Sequence, residues 1–420
     1  MAEAAYTFTL PSVADDTTLE CRVYHPPDID TVLSRNDRGI GGAVFAHPYA
    51  PLGGSYDDPV VLSVTETLLE QGYIIGTFNF RGASGSQGST TWTGRAETED
   101  YVSVTGFMIY YLHHLNMSRR NDTLATIPSA GGRVLDQDSE VPFQALSEEP
   151  IRLLLGGYSY GSLVLARLPS PQTITAHFQE AAIGTAAAEI ILRARMLAKQ
   201  TLQAAQELQS PARSRGRALN HDDAAASPTQ RAKASPVMVG GEETDPSERR
   251  QSRDSRRSAD IVRKSVEMPH RIKARIRRHS DKTKPNPTPE KENPHTIGGD
   301  GLAPRVRSCY LLVSPVLLPF TNILCPPGPP TPTLGSNRRV GETSAGSMFL
   351  QRPTLALFGT SDIFTSSRRL RAWAEKQAHG SNDASFTWEQ IDKAGHFWRE
   401  EGVMQALQAR ISSWVNNLSP

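Results

Sequence analysis

The segment LLLGGYSYGSLVLARL (residues 153–168) joins an apolar run to a helix-forming run through a serine flanked by glycines. Residues 157–161 fit the pattern G-x-S-x-G, with Ser159 at the centre. The apolar residues 151–155 predict a buried strand, and a short helix is expected to begin at Ser159. A turn this sharp leaves no room for side chains two residues either side of the serine, which explains the two glycines. The sequence therefore predicts a turn that lifts the Ser159 hydroxyl above the C-terminal edge of a sheet.

A serine hydroxyl becomes a nucleophile only when a base removes its proton and an acid orients that base. His396 is the candidate base, because it follows a predicted strand at residues 386–391. Asp362 is the candidate acid, because it follows a predicted strand at residues 354–358, and Asp392 is the alternative acid. The chain order Ser, Asp, His is the one associated with the G-x-S-x-G turn. We therefore predict a Ser-His-Asp triad at the carboxyl ends of parallel strands.

Strand and helix patterns alternate along most of the chain. Residues 6–10 and 19–24 predict a hairpin at the sheet edge. One helix has clear ends, with Asp58 as its N-cap, Pro59 as its first residue and Gly72 as its stop. The alternation predicts an α/β fold, a mostly parallel sheet with helices on both faces. The other predicted strands are 42–46, 73–80 and 308–313, and the other predicted helices are 97–115, 175–208, 370–377 and 402–414.

Two polar segments interrupt this pattern. Residues 210–304 are rich in Ser, Pro, Arg and Lys and hold few apolar side chains, which predicts a disordered insertion. Between residues 211 and 300 the chain carries 20 Lys and Arg against 13 Asp and Glu, although its overall net charge is +1. Residues 119–149 predict a shorter polar loop. The predicted organisation is a first part of the folded core at 1–209, the basic insertion at 210–304, and a second part at 305–420 with a small Pro- and Gly-rich lid at about 319–349.

The composition suits a soluble globular protein, because 38% of the residues are hydrophobic and 21% are charged. Residues 1–16 show neither a basic nor an apolar signal region, and the longest apolar run, 309–320, is too short to span a bilayer. The three cysteines lie far apart and show no metal spacing, which predicts free thiols in a reducing compartment. We therefore expect a cytoplasmic protein without membrane contact. The basic run 271–279 offers a nuclear location as the alternative.

Beside residues 157–161, three more motifs stand out in the sequence: HPYAPLGG at 47–54, NFRGASGS at 79–86 and GHF at 395–397. Together, the four motifs resemble those of the α/β-hydrolases. They are most similar to those of small serine hydrolases that combine a His-Pro turn, an Asn-Phe-Arg-Gly turn, G-x-S-x-G and a late Gly-His-Phe. The resemblance implies the α/β-hydrolase fold over roughly residues 5–195 and 305–420.

The turn and its helix also predict an oxyanion hole, a pair of backbone amides that bind the developing negative charge. One donor is the amide of Tyr160, at the start of the predicted helix. The resemblance implies that the second comes from the His-Pro turn, from Tyr49 or alternatively from Ala50. His47 is expected to orient or support this turn. The glycine-rich turn at residues 81–88 is interpreted as structural support rather than a nucleotide site.

These residues predict a serine hydrolase that cleaves an ester, thioester or similar acyl bond of a small molecule, with no cofactor and no metal. The same triad could instead transfer the acyl group to an alcohol or amine, or cleave a short peptide. A different alternative is a non-catalytic scaffold whose basic segment 210–300 binds an acidic protein partner, a nucleic acid being the less favoured partner. The aromatic residues that either line an apolar pocket or belong to the core are Trp92, Phe320, Phe364 and Trp398.

Overall fold

A computed structural model describes the chain over seven ranges, and these residues form one sheet with its helices. The eight strands of the sheet, numbered in chain order, are β1 (Tyr6–Pro11), β2 (Thr18–Tyr24), β3 (Gly41–Ala46), β4 (Ile74–Phe78), β5 (Ile151–Tyr158), β6 (Val306–Val313), β7 (Thr354–Gly359) and β8 (Phe386–Ile391). The described ranges are 2–34, 39–91, 94–125, 150–209, 303–317, 347–381 and 385–418.

The strands lie side by side in the order β1-β2-β4-β3-β5-β6-β7-β8. β2 runs antiparallel to both of its neighbours, and all other neighbouring strands are parallel. In the edge hairpin, Tyr6 of β1 lies opposite Val23 of β2. The predicted hairpin and the predicted mostly parallel sheet are therefore confirmed. In such a sheet the carboxyl ends of the parallel strands share one edge.

The helices of the described ranges connect these strands, and none of them is both long enough and apolar enough to cross a bilayer. The predicted ends of one helix are confirmed, since the Asp58 carboxylate accepts the Val60 N–H at 2.8 Å and Gly72 has a φ of +78°. The helices are α1 (Ile29–Ser34), α2 (Pro59–Glu70), α3 (Arg95–Ala125), α4 (Tyr160–Leu165), α5 (Pro171–Gln179), α6 (Ala186–Gln209), α7 (Ser347–Gln351), α8 (Ser367–Gly380) and α9 (Val403–Asn416), with a short 3-10 helix at Ala50–Leu52.

Two apolar layers cover the sheet. Side chains alternate along β3, so that Val44 and Ala46 enter one layer and Ala43 and Phe45 enter the other. The first layer takes its helical side chains from α3, α4, α5, α6 and α8, among others, and the second from α2 and α9. Because both faces are buried, the central strands are apolar throughout rather than alternately polar.

The structure departs from the predicted helices in four places. The predicted helix at 175–208 is two helices, because the chain leaves α5 after Gln179 and turns at Gly184, which has a φ of +85°. α3 continues to Ala125, so the polar loop predicted from residue 119 begins inside a helix. The short helices α1 and α7 were not predicted, and α7 begins inside the range expected to form the lid. The rest of that loop, the basic insertion 210–304 and most of the lid range 319–349 lie outside the described residues.

A buried arginine holds the turn after β4. The Arg81 guanidinium donates to Asp100 at 2.6 Å and to Asp15 at 2.8 Å. Asp100 lies on α3, and Asp15 lies on the loop between β1 and β2. The two ion pairs therefore connect the turn after β4 to α3 and to this loop. The guanidinium is therefore committed to carboxylates of the protein itself.

Candidate active site

Ser159 occupies the turn between β5 and α4. Its backbone has φ 54° and ψ −113°, a conformation that residues with a side chain rarely adopt. The Ser159 N–H donates to the carbonyl oxygen of Val313 at 2.9 Å, which ties the turn to the end of β6. The strained turn is thus held by the neighbouring strand.

The two glycines of the motif lie where no side chain fits. A Cβ on Gly157 would overlap the carbonyl carbon of Gly161, and a Cβ on Gly161 would meet the carbonyl oxygen of Ala46 at 2.5 Å. Backbone atoms in a packed sheet have no room to move aside. The turn therefore requires glycine at both positions, as the sequence predicts.

Three polar side chains from separate parts of the chain meet at this turn. His396 Nε2 lies 2.8 Å from Ser159 Oγ, and His396 Nδ1 lies 2.7 Å from Asp362 Oδ2. All three residues are buried. Because Nδ1 faces a carboxylate, the ring proton belongs on Nδ1, which leaves the lone pair of Nε2 directed at the serine hydroxyl. The structure brings together the three residues that the sequence singles out.

The Asp362 carboxylate is held on both of its oxygens. Oδ2 faces the imidazole, while Oδ1 accepts the backbone N–H of Phe364 at 2.8 Å and that of Thr365 at 3.0 Å. Asp392, the alternative acid, is exposed and accepts the hydroxyl of Thr360 at 3.3 Å. The structure therefore brings Asp362, and not Asp392, to the imidazole.

His47, directly after β3, is buried and bonded to backbone on both sides of its ring. Nδ1 donates to the carbonyl oxygen of Pro48 at 2.6 Å, and Nε2 accepts the Phe80 N–H at 2.9 Å. Burial lowers the pKa of His47 to about 4, so the ring is neutral at physiological pH. Because both nitrogens are used, this histidine joins the turns after β3 and β4.

The two residues predicted to form the oxyanion hole, Tyr49 and Tyr160, lie side by side. Their ring centroids are 5.1 Å apart. Tyr160 is the first residue of α4, where backbone N–H groups point away from the helix. Tyr49 precedes the 3-10 helix, and its carbonyl accepts the Gly54 N–H at 3.2 Å. The two residues expected to supply amides are thus in contact through their rings.

The position of the Ser159 turn in the sheet identifies the fold. The serine follows β5, in the middle of the parallel strands, and Asp362 and His396 follow β7 and β8. The serine is thus on a sharp strand-to-helix turn, and the chain order is Ser, Asp, His. The chain has the α/β-hydrolase fold. This topology explains how Ser159 and His396, 237 positions apart, come within hydrogen-bond distance.

Comparisons with known proteins give matches to solved structures only. No family model matches the chain, and no curated protein matches it. An α/β serine hydrolase without a lid from Xanthomonas campestris is 12% identical with a TM-score of 0.39, over 100% of this chain and 99% of that one. An α/β serine hydrolase homologue from Coxiella burnetii is 13% identical with a TM-score of 0.41, over 100% of both chains. Est1E from Butyrivibrio proteoclasticus is 10% identical with a TM-score of 0.35, over 98% of this chain and 99% of that one.

Sequence reasoning missed Tyr158, the residue before the serine. Its hydroxyl donates to the carbonyl oxygen of His396 at 2.8 Å, and its ring lies 5.7 Å from the imidazole, centroid to centroid. Burial raises the pKa of Tyr158, so the hydroxyl keeps its proton and remains a donor. The residue occupies a variable position of the motif, and no local pattern connects it to a residue 238 positions away.

Two of the four aromatic residues considered for a pocket are described. Trp398 is buried, and its Nε1–H donates to Ser314 Oγ at 3.0 Å, so it belongs to the core. Phe364 is partly exposed, with its ring centroid 4.4 Å from that of His396. The other two, Trp92 and Phe320, lie outside the described residues.

Within the described ranges, no three His, Cys, Asp or Glu residues are grouped so that they could hold a metal ion. Cys21 and Cys309 are buried free thiols, and burial raises the pKa of both. A thiol that keeps its proton is a poor nucleophile. Neither Cys21 nor Cys309 is therefore set up as a nucleophile.

Proposed function

We propose that the chain is a serine hydrolase that cleaves an ester, thioester or similar acyl bond of a small molecule. The observation that carries the proposal is the line of hydrogen bonds from Asp362 through His396 to Ser159, at 2.7 Å and 2.8 Å. A serine hydroxyl in contact with an imidazole that is itself oriented by a carboxylate is the arrangement that activates serine.

In the acylation step, Ser159 Oγ attacks the carbonyl carbon of the substrate while its proton passes to His396 Nε2. Asp362 stabilises the resulting imidazolium, and the amides of Tyr160 and Tyr49 bind the oxyanion. His396 then donates the proton to the leaving oxygen or sulfur as the bond from that atom to the carbonyl carbon breaks. The products of this step are the free alcohol or thiol and an acyl ester of Ser159.

In the deacylation step, water takes the place of the departed group. His396 Nε2 accepts a proton from water while the water oxygen attacks the acyl carbon. The proton then returns to Ser159 Oγ as the acyl ester breaks and the carboxylic acid leaves. The whole cycle uses the three side chains and backbone amides of this chain, with no net change in any of them.

Two further expectations remain predictions. The cytoplasmic location rests on the small number and the wide spacing of the cysteines. An acidic protein partner for residues 210–300 rests on the charge of that segment, which lies outside the described residues.

Labelling with a fluorophosphonate probe, which reacts with activated serines, tests the proposed function. We expect the wild-type chain to be labelled and Ser159→Ala to take no label. His396→Ala should slow labelling by about a thousandfold or more, because the base that removes the proton is gone. The matched control is Ser361→Ala, which removes an exposed hydroxyl beside Asp362 and should be labelled like the wild type.

Circular dichroism of each variant shows whether loss of label comes from loss of fold. A folded wild-type chain that stays unlabelled would contradict the proposed function. Labelling of Ser159→Ala at the wild-type rate would contradict the assignment of the nucleophile.

A further inference from the structure

Two aromatic side chains remain partly exposed directly against the imidazole of His396. Phe364 is 36% exposed and Phe397 is 44% exposed, whereas Trp398 and Tyr158, which also lie near this loop, are buried. The centroids of the Phe364 and His396 rings are 4.4 Å apart, and those of Phe397 and His396 are 5.6 Å apart. The two phenyl rings contact each other edge to face at 5.8 Å. Exposed apolar groups gathered beside a reactive centre mark a binding surface.

The residues that orient the base also place these rings. The Phe364 N–H donates to Oδ1 of Asp362, whose other oxygen faces His396. Phe397 directly follows His396 in the chain. We call Phe364 and Phe397 the apolar rim.

The chemistry of the proposed reaction determines which part of a substrate meets the apolar rim. The carbonyl oxygen must point at the oxyanion amides of Tyr49 and Tyr160, because negative charge develops on it. The leaving atom must lie within hydrogen-bond reach of His396 Nε2, because this nitrogen returns the proton as the bond to the carbonyl carbon breaks. The substituent on the leaving atom therefore extends past His396, next to Phe364 and Phe397.

We propose that the apolar rim binds the alcohol or thiol portion of the substrate, so that the enzyme prefers acyl compounds whose leaving group is apolar. This inference rests on the proposed function and deepens it. Full burial of one methylene group favours binding by about fourfold. A rim that stays half open to water covers the leaving group only in part, and about twofold per methylene is the corresponding expectation.

Two matched ester series separate the two sides of the substrate. One lengthens the alcohol, from ethyl through butyl to hexyl acetate, and the other lengthens the acid, from ethyl acetate through ethyl butyrate to ethyl hexanoate. For the wild type we expect kcat/KM to rise about 16-fold from ethyl to hexyl acetate, which differ by four methylenes. Phe364→Ala and Phe397→Ala should each lower this hexyl-to-ethyl ratio about fourfold, and the double variant should bring it close to one.

Two variants complete the design. Phe364→Leu keeps an apolar side chain at the rim and should retain most of the hexyl-to-ethyl ratio. Leu192→Ala removes a 50% exposed apolar side chain from α6, outside the site, and should leave the ratio unchanged. The hexanoate-to-acetate ratio of the acid series should not fall in the double variant. Thermal unfolding of each variant checks that the fold is intact.

An unchanged hexyl-to-ethyl ratio in the double variant would overturn the proposal. So would an equal loss for all esters, since the rings would then act on His396 rather than on the leaving group. A parallel fall in the acid series would assign the rim to the acyl side and overturn it as well. In all three cases the esters are still hydrolysed and Ser159→Ala is still inactive, so the proposed function stands. A folded chain that hydrolyses neither series and takes no fluorophosphonate label overturns both.

Discussion

His47 and His396 are two buried histidines at the same edge of the sheet, one after β3 and the other after β8. The His47 ring donates to the carbonyl of Pro48 and accepts the N–H of Phe80, so backbone groups use both of its nitrogens. The His396 ring instead has a carboxylate on one nitrogen and a hydroxyl on the other. The two histidines thus resemble each other in position and burial and differ only in their hydrogen-bond partners.

This difference indicates why His396, and not His47, suits the proposed role of base. A neutral ring between two backbone groups loses a hydrogen bond when it takes up a proton, and burial opposes the positive charge. A ring beside a carboxylate can take up a proton because the opposite charge stabilises the cation. The Asp362 carboxylate is therefore the difference that matters between the surroundings of the two histidines. Of the changes considered below, its removal should have the largest effect, a loss of kcat.

Asp362→Asn should lower kcat for any hydrolysed ester by about a thousandfold to ten-thousandfold. The new amide can donate to Nδ1, which moves the ring proton to Nε2 and removes the lone pair that accepts the serine proton. Steady-state kinetics on the acetate esters, with the rate of fluorophosphonate labelling, measure the loss.

Asp392→Asn is the control, because Asp392 is exposed and contacts Thr360 instead of the imidazole. We expect this variant to keep the wild-type kcat. Equal losses in the two variants would show that charge near the loop, rather than contact with His396, matters.

The pH dependence of the free energy of unfolding tests whether His47 is neutral in the folded chain. His47 takes up a proton near pH 6.5 in the unfolded chain but only near pH 4 in the folded one, so protonation favours unfolding. The contribution of His47 to the free energy of unfolding is complete above pH 6.5. It is lost as the pH falls toward 4, by up to about 3 kcal/mol. We expect the free energy of unfolding of His47→Gln to change less between pH 7 and pH 4.5 than that of the wild type, by about 2 kcal/mol.

Urea denaturation at a series of pH values measures this difference. His25 and His114, whose pKa values burial also lowers to about 4, account for part of the slope that remains. The exposed His379, changed to Gln, provides a matched control for the substitution itself. Identical slopes for His47→Gln and the wild type would contradict a neutral, backbone-bonded His47.

Tyr158→Phe should have the smallest effect of the three. It removes the hydroxyl that donates to the His396 carbonyl and leaves the ring in place. We expect kcat to fall about tenfold with little change in KM, because the imidazole is less well held against the serine. Kinetics on ethyl and hexyl acetate measure the two constants separately.

Tyr310→Phe is the matched control, since Tyr310 is a buried tyrosine of β6 whose hydroxyl bonds to Ser308 at 3.3 Å. This variant should lower the unfolding temperature without changing kcat. If Tyr158→Phe behaves in the same way, Tyr158 has a structural role only and does not position His396.

The features that the sequence predicts well are those fixed by neighbours in the chain. The apolar runs mark the strands, although β5 continues to Tyr158 and β4 ends at Phe78 rather than at residue 80. The need for Gly157 and Gly161 follows from the sharp turn at Ser159 itself. The division of α5 from α6 escapes this reasoning, because the apolar spacing continues across the break and only the conformation of Gly184 reveals it.

The features that the sequence leaves open depend on contacts between distant segments. Asp362 and Asp392 both follow strands, and the choice between them depends on which carboxylate the folded loop carries to His396. The bond between His47 and Phe80 joins residues 33 positions apart. Exposure of Phe364 beside the imidazole likewise follows from packing, because an aromatic residue after a strand is as compatible with the core as with a binding surface.

The backbone at Ser159 has a consequence for protein engineering. Its φ of 54° and ψ of −113° suit glycine better than any residue with a Cβ, and such a conformation disfavours folding by about 1–3 kcal/mol. A redesign guided by thermostability alone would place glycine at this position and gain stability by deleting the hydroxyl. Stabilising this protein without loss of the proposed activity therefore means substituting residues away from the turn and keeping Ser159 in its strained conformation.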